Sequence, residues 1–143
     1  MYQTMYERKP TQDWFHDVYQ FHEAMNCHAS PFPGVPDDNT VMLRWSLIVE
    51  ELKELQKAME TEDLPAVADA IGDAIYVLIG TALAYGIDLR PVWDAIQQAN
   101  MAKKDGPVRE DGKRLKPPDW RPPDIKGILM KQVLKCFFQK HPL

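Results

Sequence analysis

Residues 49–86 read VEELKELQKAMETEDLPAVADAIGDAIYVLIGTALAYG, and this segment is the most informative about the fold. Two segments carry apolar residues at helical spacing, and a short polar connection at Thr61–Leu64 joins them, which predicts two antiparallel helices. The later of these two helices, the third in the chain, is expected to begin near Leu64–Pro65, because proline suits the first turn of a helix. It is expected to run to Tyr85. Gly86 is the expected stop, since many helices end on a glycine.

The same periodicity extends the helical pattern in both directions. The first helix is predicted over Thr11–Met25, with Thr11 as a candidate N-cap and an apolar face of Trp14, Val18, Phe21 and Met25. The second is predicted over Thr40–Glu60, with an apolar face of Met42, Leu43, Leu47, Ile48, Leu52 and Leu55. The fourth is predicted over Leu89–Lys103, with Pro91 in its first turn and Val92, Trp93, Ile96 and Ala99 on one side.

Proline and glycine interrupt this pattern in two places. Cys27–Asn39 contains three prolines and a glycine, which rule out a regular helix there. After Lys104 the run DGPVREDGKRLKPPDWRPPD predicts a basic loop, and Ile125–Gln139 follows as a short helix or a mobile tail. No stretch alternates like a strand. The sequence therefore predicts one all-α domain over 1–143, a helical bundle with its core at about 11–104 and its loop and tail at 105–143.

Composition limits the classes of function. With 45% hydrophobic residues among 143, the chain has enough apolar material for a packed core. A net charge of −4 argues against a general binder of nucleic acid polymers. An acidic protein that binds a polyanion such as a triphosphate needs divalent cations, or a few well-placed lysines and arginines.

The cysteines and the apolar runs bear on location. Cys27 and Cys136 are far apart and form no CxxC pair, as expected of two reduced thiols in a cytoplasmic protein. Residues 1–20 lack the apolar region of a signal peptide. The most apolar stretch, Ala74–Tyr85, is too short to span a bilayer and is expected to be buried in protein, so no membrane partner is predicted.

Three carboxylates lie close together on the second predicted helix. Glu50 and Glu54 are one turn apart, and Glu51 lies three residues before Glu54, so all three project to neighbouring positions. Like charges at these spacings repel each other by a few tenths of a kcal/mol per pair, so selection for stability alone disfavours them. Solvated charges on a helix surface are the alternative interpretation.

The third helix carries a second acidic pair, Asp69 and Asp73, again one turn apart. Residues after Asp73 are almost all apolar, and a buried carboxylate is normally paired or bound to metal. If the two helices are antiparallel, both acidic groups face one cleft. Such a set of oxygen ligands suits Mg²⁺ or Mn²⁺ rather than zinc.

Other polar residues give weaker signals. Asn100, Lys103 and Lys104 close the fourth helix, where lysines either complement the helix dipole or contact phosphate oxygens. Lys113, Arg114 and Lys116 make the following loop basic, as a lid over a triphosphate or as ordinary solvated charge. Tyr76 lies one turn after Asp73, near the cleft, although core packing explains it equally simply. No histidine has zinc-ligand spacing with a cysteine, and the four tryptophans fit core or edge positions or stacking on a base.

These residues together resemble the all-α NTP pyrophosphohydrolase superfamily, which includes MazG, the dimeric dUTPases and phosphoribosyl-ATP pyrophosphohydrolase. The superfamily motif is ExxE, a gap, then ExxD; Glu51 and Glu54 match its first half and Asp73 its last position. FHEAM near residue 22, the run from residue 73 to residue 106, and the DGK, LKP and WxPxD elements of the loop extend the likeness over most of residues 11–127. The resemblance implies a four-helix-bundle-type MazG-like domain.

The sequence departs from the motif at one position. The glutamate of ExxD falls at Ala70, and Asp69 lies one position earlier. Asp69 is still one turn from Asp73 and is the expected substitute ligand, with a shorter side chain and a different angle.

The resemblance implies hydrolysis of a (deoxy)nucleoside triphosphate to the monophosphate and pyrophosphate. The expected role is control of a dNTP pool, with dUTP, dGTP or dATP as the substrate. Glu51, Glu54, Asp69 and Asp73 are assigned as ligands of Mg²⁺ or Mn²⁺. Glu50 is assigned as the general base or an additional ligand. Substrate contacts are assigned to Tyr76, Asn100, Lys103, Lys113 and Lys116. The alternatives are a phosphoribosyl-ATP pyrophosphohydrolase of histidine biosynthesis and a non-enzymatic helical oligomerisation module. Because helix 3 is too apolar to face water, a homodimer or homotetramer is expected.

Overall fold

The computed structural model describes residues 12–140, and this part of the chain is all-α, as predicted. The helices are α1 (Trp14–Ala24), α2 (Asp38–Glu60), α3 (Leu64–Ala84), α4 (Leu89–Met101) and α5 (Ile125–Lys140). The β-structure of residues 12–140 is limited to an isolated antiparallel bridge between Val108 and Arg114, within the loop from α4 to α5. The C-terminal segment is thus a 16-residue helix rather than a tail.

Aspartates begin the first four helices. The carboxylate of Asp13 accepts from the amide of His16, and Asp37, Asp63 and Asp88 make the equivalent contacts for α2, α3 and α4. The candidate N-cap Thr11 lies outside the described residues, and α1 begins three residues later than predicted. Aspartate is among the best N-caps, so each of these residues fixes a boundary that apolar spacing alone leaves open.

Gly86 ends α3, as predicted. It has a φ of 68°, and the amides of Gly86 and Ile87 donate to the carbonyls of Leu83 and Ala82, which is the Schellman arrangement. A Cβ at Gly86 would lie 1.9 Å from the carbonyl oxygen of Phe32. Glycine is therefore required both for the backbone conformation and for the close approach of the loop between α1 and α2.

The α2 and α3 helices form an antiparallel hairpin, and α1 packs on α3. Val18, Ile79 and Leu83 form the buried core between α1 and α3. On the far side of the chain α4 packs against α5, where the side chain of Gln132 both donates to and accepts from the backbone of Asp88. The α2–α3 hairpin is thus the frame on which both acidic groups are held.

Hydrogen bonds from one arginine on α2 link this helix to α3. Arg44 donates to the hydroxyl of Thr81 at 3.2 Å and to the carbonyl of Val77 at 2.7 Å. The imidazole of His22, 4% exposed, lies beside it. A Cβ at Gly80 would lie 2.6 Å from Arg44 Nη2 and 2.9 Å from His22 Nε2, so a small residue at position 80 allows both side chains to lie against α3.

Several predicted apolar faces are exposed in the single chain. On α2, Leu47, Ile48 and Leu55 are half-buried, whereas Met42, Leu43 and Leu52 are exposed. On α4 only Val92 of the predicted side is buried, and Trp93 and Ile96 are exposed. The α4 helix also ends at Met101 rather than Lys103, because residues 102–105 form turns.

The apolar run that was expected to be too short for a bilayer belongs to a longer helix. At 21 residues, α3 is long and apolar enough to cross a membrane by length and composition alone. The length argument made for Ala74–Tyr85 therefore does not extend to the whole helix. Since α2 packs along α3 and Asp69 and Asp73 lie on it, we interpret α3 as a helix that faces protein.

Candidate functional site

The predicted acidic residues meet along the seam between α2 and α3. Glu51 lies on α2, and its Oε2 atom is buried without a hydrogen-bond partner in the described part of the chain. Asp73 lies on α3, which packs against α2, and its charge acts on Glu51. The side chain of Asp73 is exposed, so the burial expected from its apolar neighbours in the sequence is wrong. A buried carboxylate oxygen without a donor is costly, and such a group in a native protein calls for a cation or proton that satisfies it.

The charges around Glu51 show which carboxylates are brought together. Burial raises the pKa of Glu51, and the negative charges of Glu54, Asp73, Glu50 and Asp69 raise it further, in that order. The other four acidic residues singled out in the sequence are therefore close enough to Glu51 for their charges to act on it. We call this group the acidic seam.

The position of the missing family glutamate is clear in the structure. Ala70 is 4% exposed, so position 70 points inward, whereas Asp69 is exposed. Of the four neighbouring carboxylates, Asp69 also has the smallest effect on the pKa of Glu51. Asp69 therefore shares the seam but does not reproduce the inward direction of residue 70.

The donor set of the acidic seam fits a hard divalent cation, because it consists of carboxylates alone and contains a buried oxygen without a partner. Within residues 12–140, no three carboxylate, imidazole or thiolate side chains lie close enough together to hold one ion.

Three of the predicted substrate contacts form a second group, at the end of α4. Lys103 Nζ donates to Asn100 Oδ1 at 2.8 Å and lies 5.5 Å from the ring centre of Trp120. Lys116 Nζ lies 4.2 Å from the same ring centre. Trp120 Nε1 donates to the carbonyl of Ala99 at 2.7 Å, which holds the loop against α4. Sequence reasoning missed this role of Trp120, whose only signal was its place in WxPxD.

Lys113 and Tyr76 lie apart from that group. Lys113 is exposed in the bridged turn, where its backbone amide donates to Asp111. Tyr76 packs edge-on against Phe21, with ring centres 5.5 Å apart, between α1 and α3. No hydrogen bond or ion pair among the described residues joins the Asn100–Lys103–Lys116 group to the acidic seam. The roles assigned to all these residues stay predictions.

Comparison with known proteins shows the family of the chain. Residues 18–100, more than half of the sequence, match the phosphoribosyl-ATP pyrophosphohydrolase family. The chain belongs to this family. The family is part of the MazG-like all-α NTP pyrophosphohydrolase superfamily, so the resemblance read from the sequence is confirmed. Its members are pyrophosphohydrolases and typically depend on a divalent metal.

A curated relative gives a shorter match. The "Uncharacterized protein L479" of Acanthamoeba polyphaga mimivirus is 44% identical over 55 residues, which cover 37% of this chain. The match spans about a fifth (22%) of that protein's length.

Proposed function

We propose that the protein hydrolyses a (deoxy)nucleoside triphosphate to the monophosphate and pyrophosphate and so controls a dNTP pool. The observation that carries this proposal is the buried, unpartnered carboxylate of Glu51 among four further carboxylates. The seam lies within the residues that match a pyrophosphohydrolase family. Polyphosphates are bound as metal complexes, which an all-carboxylate site suits.

The proposed roles follow the positions of the side chains. Glu51, Glu54 and Asp73 would hold Mg²⁺ or Mn²⁺, with Asp69 as the outermost ligand. These residues would hold a cation that would supply neutralisation of charge on the phosphate oxygens and a lower pKa for water at the site. Glu50, exposed beside Glu51, has a carboxylate oxygen available to accept a proton from the attacking water.

Residues outside the seam would bind the substrate. Lys103 and Lys116 present two ammonium groups around one indole ring, and Asn100 orients the first of them. Both ammonium groups are proposed to contact phosphate oxygens, to which lysines make charge-assisted hydrogen bonds. Lys113, on the exposed turn, is proposed as a further phosphate contact, and Tyr76 as a contact to the nucleoside.

A phosphoribosyl-ATP pyrophosphohydrolase of histidine biosynthesis is equally consistent with the family match. What favours the nucleoside triphosphate is the DGK–LKP–WxPxD loop, which resembles the MazG-like branch and lies beyond the matched residues 18–100. Family membership weighs against the third candidate, a helical module without activity. We further propose a cytoplasmic homodimer or homotetramer that acts on nucleotides, without a nucleic acid polymer or a membrane as partner.

The test is a substrate panel with chromatographic separation of the products. The purified protein is incubated with each canonical NTP and dNTP, with dUTP and with phosphoribosyl-ATP, in Mg²⁺ or Mn²⁺. We expect a monophosphate and pyrophosphate from at least one nucleoside triphosphate. Glu51→Gln should lower this rate by more than about 10²-fold, since even changes beyond the direct ligands of a metal cost 10–100-fold.

Glu60→Gln is the matched control, because Glu60 lies on the same helix nine residues from Glu51 and bonds only to Gln56 in the described chain. Its rate should equal that of the parent. Formation of a diphosphate and orthophosphate contradicts the proposed reaction. Hydrolysis of phosphoribosyl-ATP alone assigns the protein to histidine biosynthesis instead.

A further inference from the structure

A groove runs between α1 and α3 beside the acidic seam. It has a volume of about 220 Å³ and is lined by Trp14 and Asp17 from α1 and by Gly72 and Tyr76 from α3, with Val18 and Ile79 at its base. Pockets that hold a whole drug-sized ligand measure roughly 300–1,000 Å³. The groove therefore suits a fragment such as one planar ring system.

The groove is open because Gly72, one of the residues that line it, has no side chain. A Cβ at Gly72 would meet no atom within 4 Å, so nothing in the described chain fills the space above this glycine. Trp14 is 52% exposed and Tyr76 is 38% exposed, which leaves their apolar surfaces accessible from the groove. Phe21 packs edge-on against Tyr76 and holds its ring in place.

Asp17 provides the charge in this otherwise apolar lining. Within residues 12–140 its carboxylate has no hydrogen-bond or ion-pair partner. It lies in the first turn of α1, a position where acidic residues are common. An ionised carboxylate accepts hydrogen bonds and donates none, so its ligand must present N–H or O–H groups.

The groove and the acidic seam share α3. Gly72 is next to Asp73 in the chain and three residues after Asp69, a distance of about 4.5 Å along the helix axis. A ligand whose phosphates lie at the seam therefore has the groove within reach of its remaining part.

On the basis of the proposed function, we propose that this groove binds the nucleobase, and that Asp17 selects bases with an amino group. Cytosine, adenine and guanine each carry an exocyclic amino group that donates to a carboxylate. Uracil and thymine present a carbonyl oxygen where cytosine has its amino group, and that oxygen faces Asp17 without a proton between them. The base is stacked against Trp14 and Tyr76, whose aromatic surfaces line the groove.

The test compares dCTP with dUTP, because the two bases differ along one edge only, where cytosine has an amino group and an unprotonated N3 and uracil has a carbonyl oxygen and N3–H. Asp17→Asn keeps the shape of the side chain and supplies an amide that donates to a carbonyl. We expect the parent protein to favour dCTP. In the variant, the ratio of kcat/KM for dCTP to that for dUTP should fall at least about tenfold, the scale of a lost specific hydrogen bond.

Asp38→Asn is the matched control, because Asp38 is an exposed acidic residue in the first turn of α2. Its ratio should equal the parent's. Hydrolysis of both nucleotides with an unchanged ratio in Asp17→Asn overturns the base-binding proposal and leaves the proposed function standing. If the parent hydrolyses no nucleoside triphosphate, both proposals fail together.

Discussion

The carboxylate of Glu51 is expected to lower the stability of the folded chain at neutral pH. Burial and four neighbouring carboxylates raise its pKa in the folded chain above the value of about 4.5 in the unfolded chain. At neutral pH the ionised form is therefore less favourable folded than unfolded. This cost disappears as the pH falls below the unfolded value, where both states are protonated.

Glu51→Gln is accordingly expected to stabilise the metal-free protein while it abolishes activity. Removing the buried charge should raise the Tm at neutral pH by roughly 2–4 °C, the shift that 1 kcal/mol produces in a chain of this size. Millimolar Mg²⁺ should raise the Tm of the parent, because a ligand that binds only the folded state stabilises it, and should leave the variant unchanged. Thermal unfolding with and without Mg²⁺ measures both effects. An equal response of parent and variant to Mg²⁺ contradicts ligation by Glu51.

The sequence singled out some residues of the candidate site and not others, for physical reasons. Glu51, Glu54 and Asp73 were singled out because like charges one turn apart have no benefit for stability. Asp17, which lines the proposed base groove, was not singled out, since one acidic residue in the first turn of a helix is fully explained by the helix dipole. Its place beside a groove depends on the packing of α1 on α3, which no local pattern encodes.

At the scale of elements, the contact of α1 with the α2–α3 hairpin predicts a pH dependence. Burial lowers the pKa of His22, and the nearby charge of Arg44 lowers it further, although a hydrogen bond to the carbonyl of His28 opposes them. His28 itself is the other titratable group that acts on this imidazole. The folded state therefore binds fewer protons than the unfolded state just below pH 6.5.

Stability should fall as the pH drops through the unfolded pKa of about 6.5, by at most about 1.4 kcal/mol per pH unit. Urea unfolding from pH 8 down to about 5.5 measures this slope. His22→Gln should lose part of the stability at neutral pH and most of the slope. His16→Gln is the control, because His16 is exposed on the same helix, and it should keep the slope of the parent. An unchanged slope in His22→Gln would show that another group is responsible.

Helix boundaries were predictable to within a few residues, and the reasons for the differences are local. Apolar spacing placed the body of each helix, whereas the aspartate N-caps moved the start of α1 to Trp14 and the start of α2 to Asp38. Gly86 was recognised in advance because the Schellman motif has a clear sequence signature. The contact of Arg44 with Thr81 was beyond prediction, since it joins residues 37 positions apart.

At the scale of the whole molecule, an apolar stripe along α2 lies uncovered in the single chain. Trp45, Leu52 and Met59 recur in this stripe every seven residues and are all at least half exposed. Such a stripe is typical of a helix that packs against another helix.

We therefore expect a homodimer or homotetramer, with a mass of two or four times 16.5 kDa by light scattering over a range of concentrations. Leu52→Lys places a charge at the centre of the α2 stripe and should shift the protein toward the monomer, because burying an unpaired charge in an interface is costly. Val35→Lys is the control, since Val35 is 82% exposed in the loop between α1 and α2 and lies outside the stripe. A parent protein that is monomeric at every concentration would show that α2 and α3 are covered in some other way. Association of Leu52→Lys as strong as that of the parent would place the interface on another face, with the exposed side of α4 next to be tested.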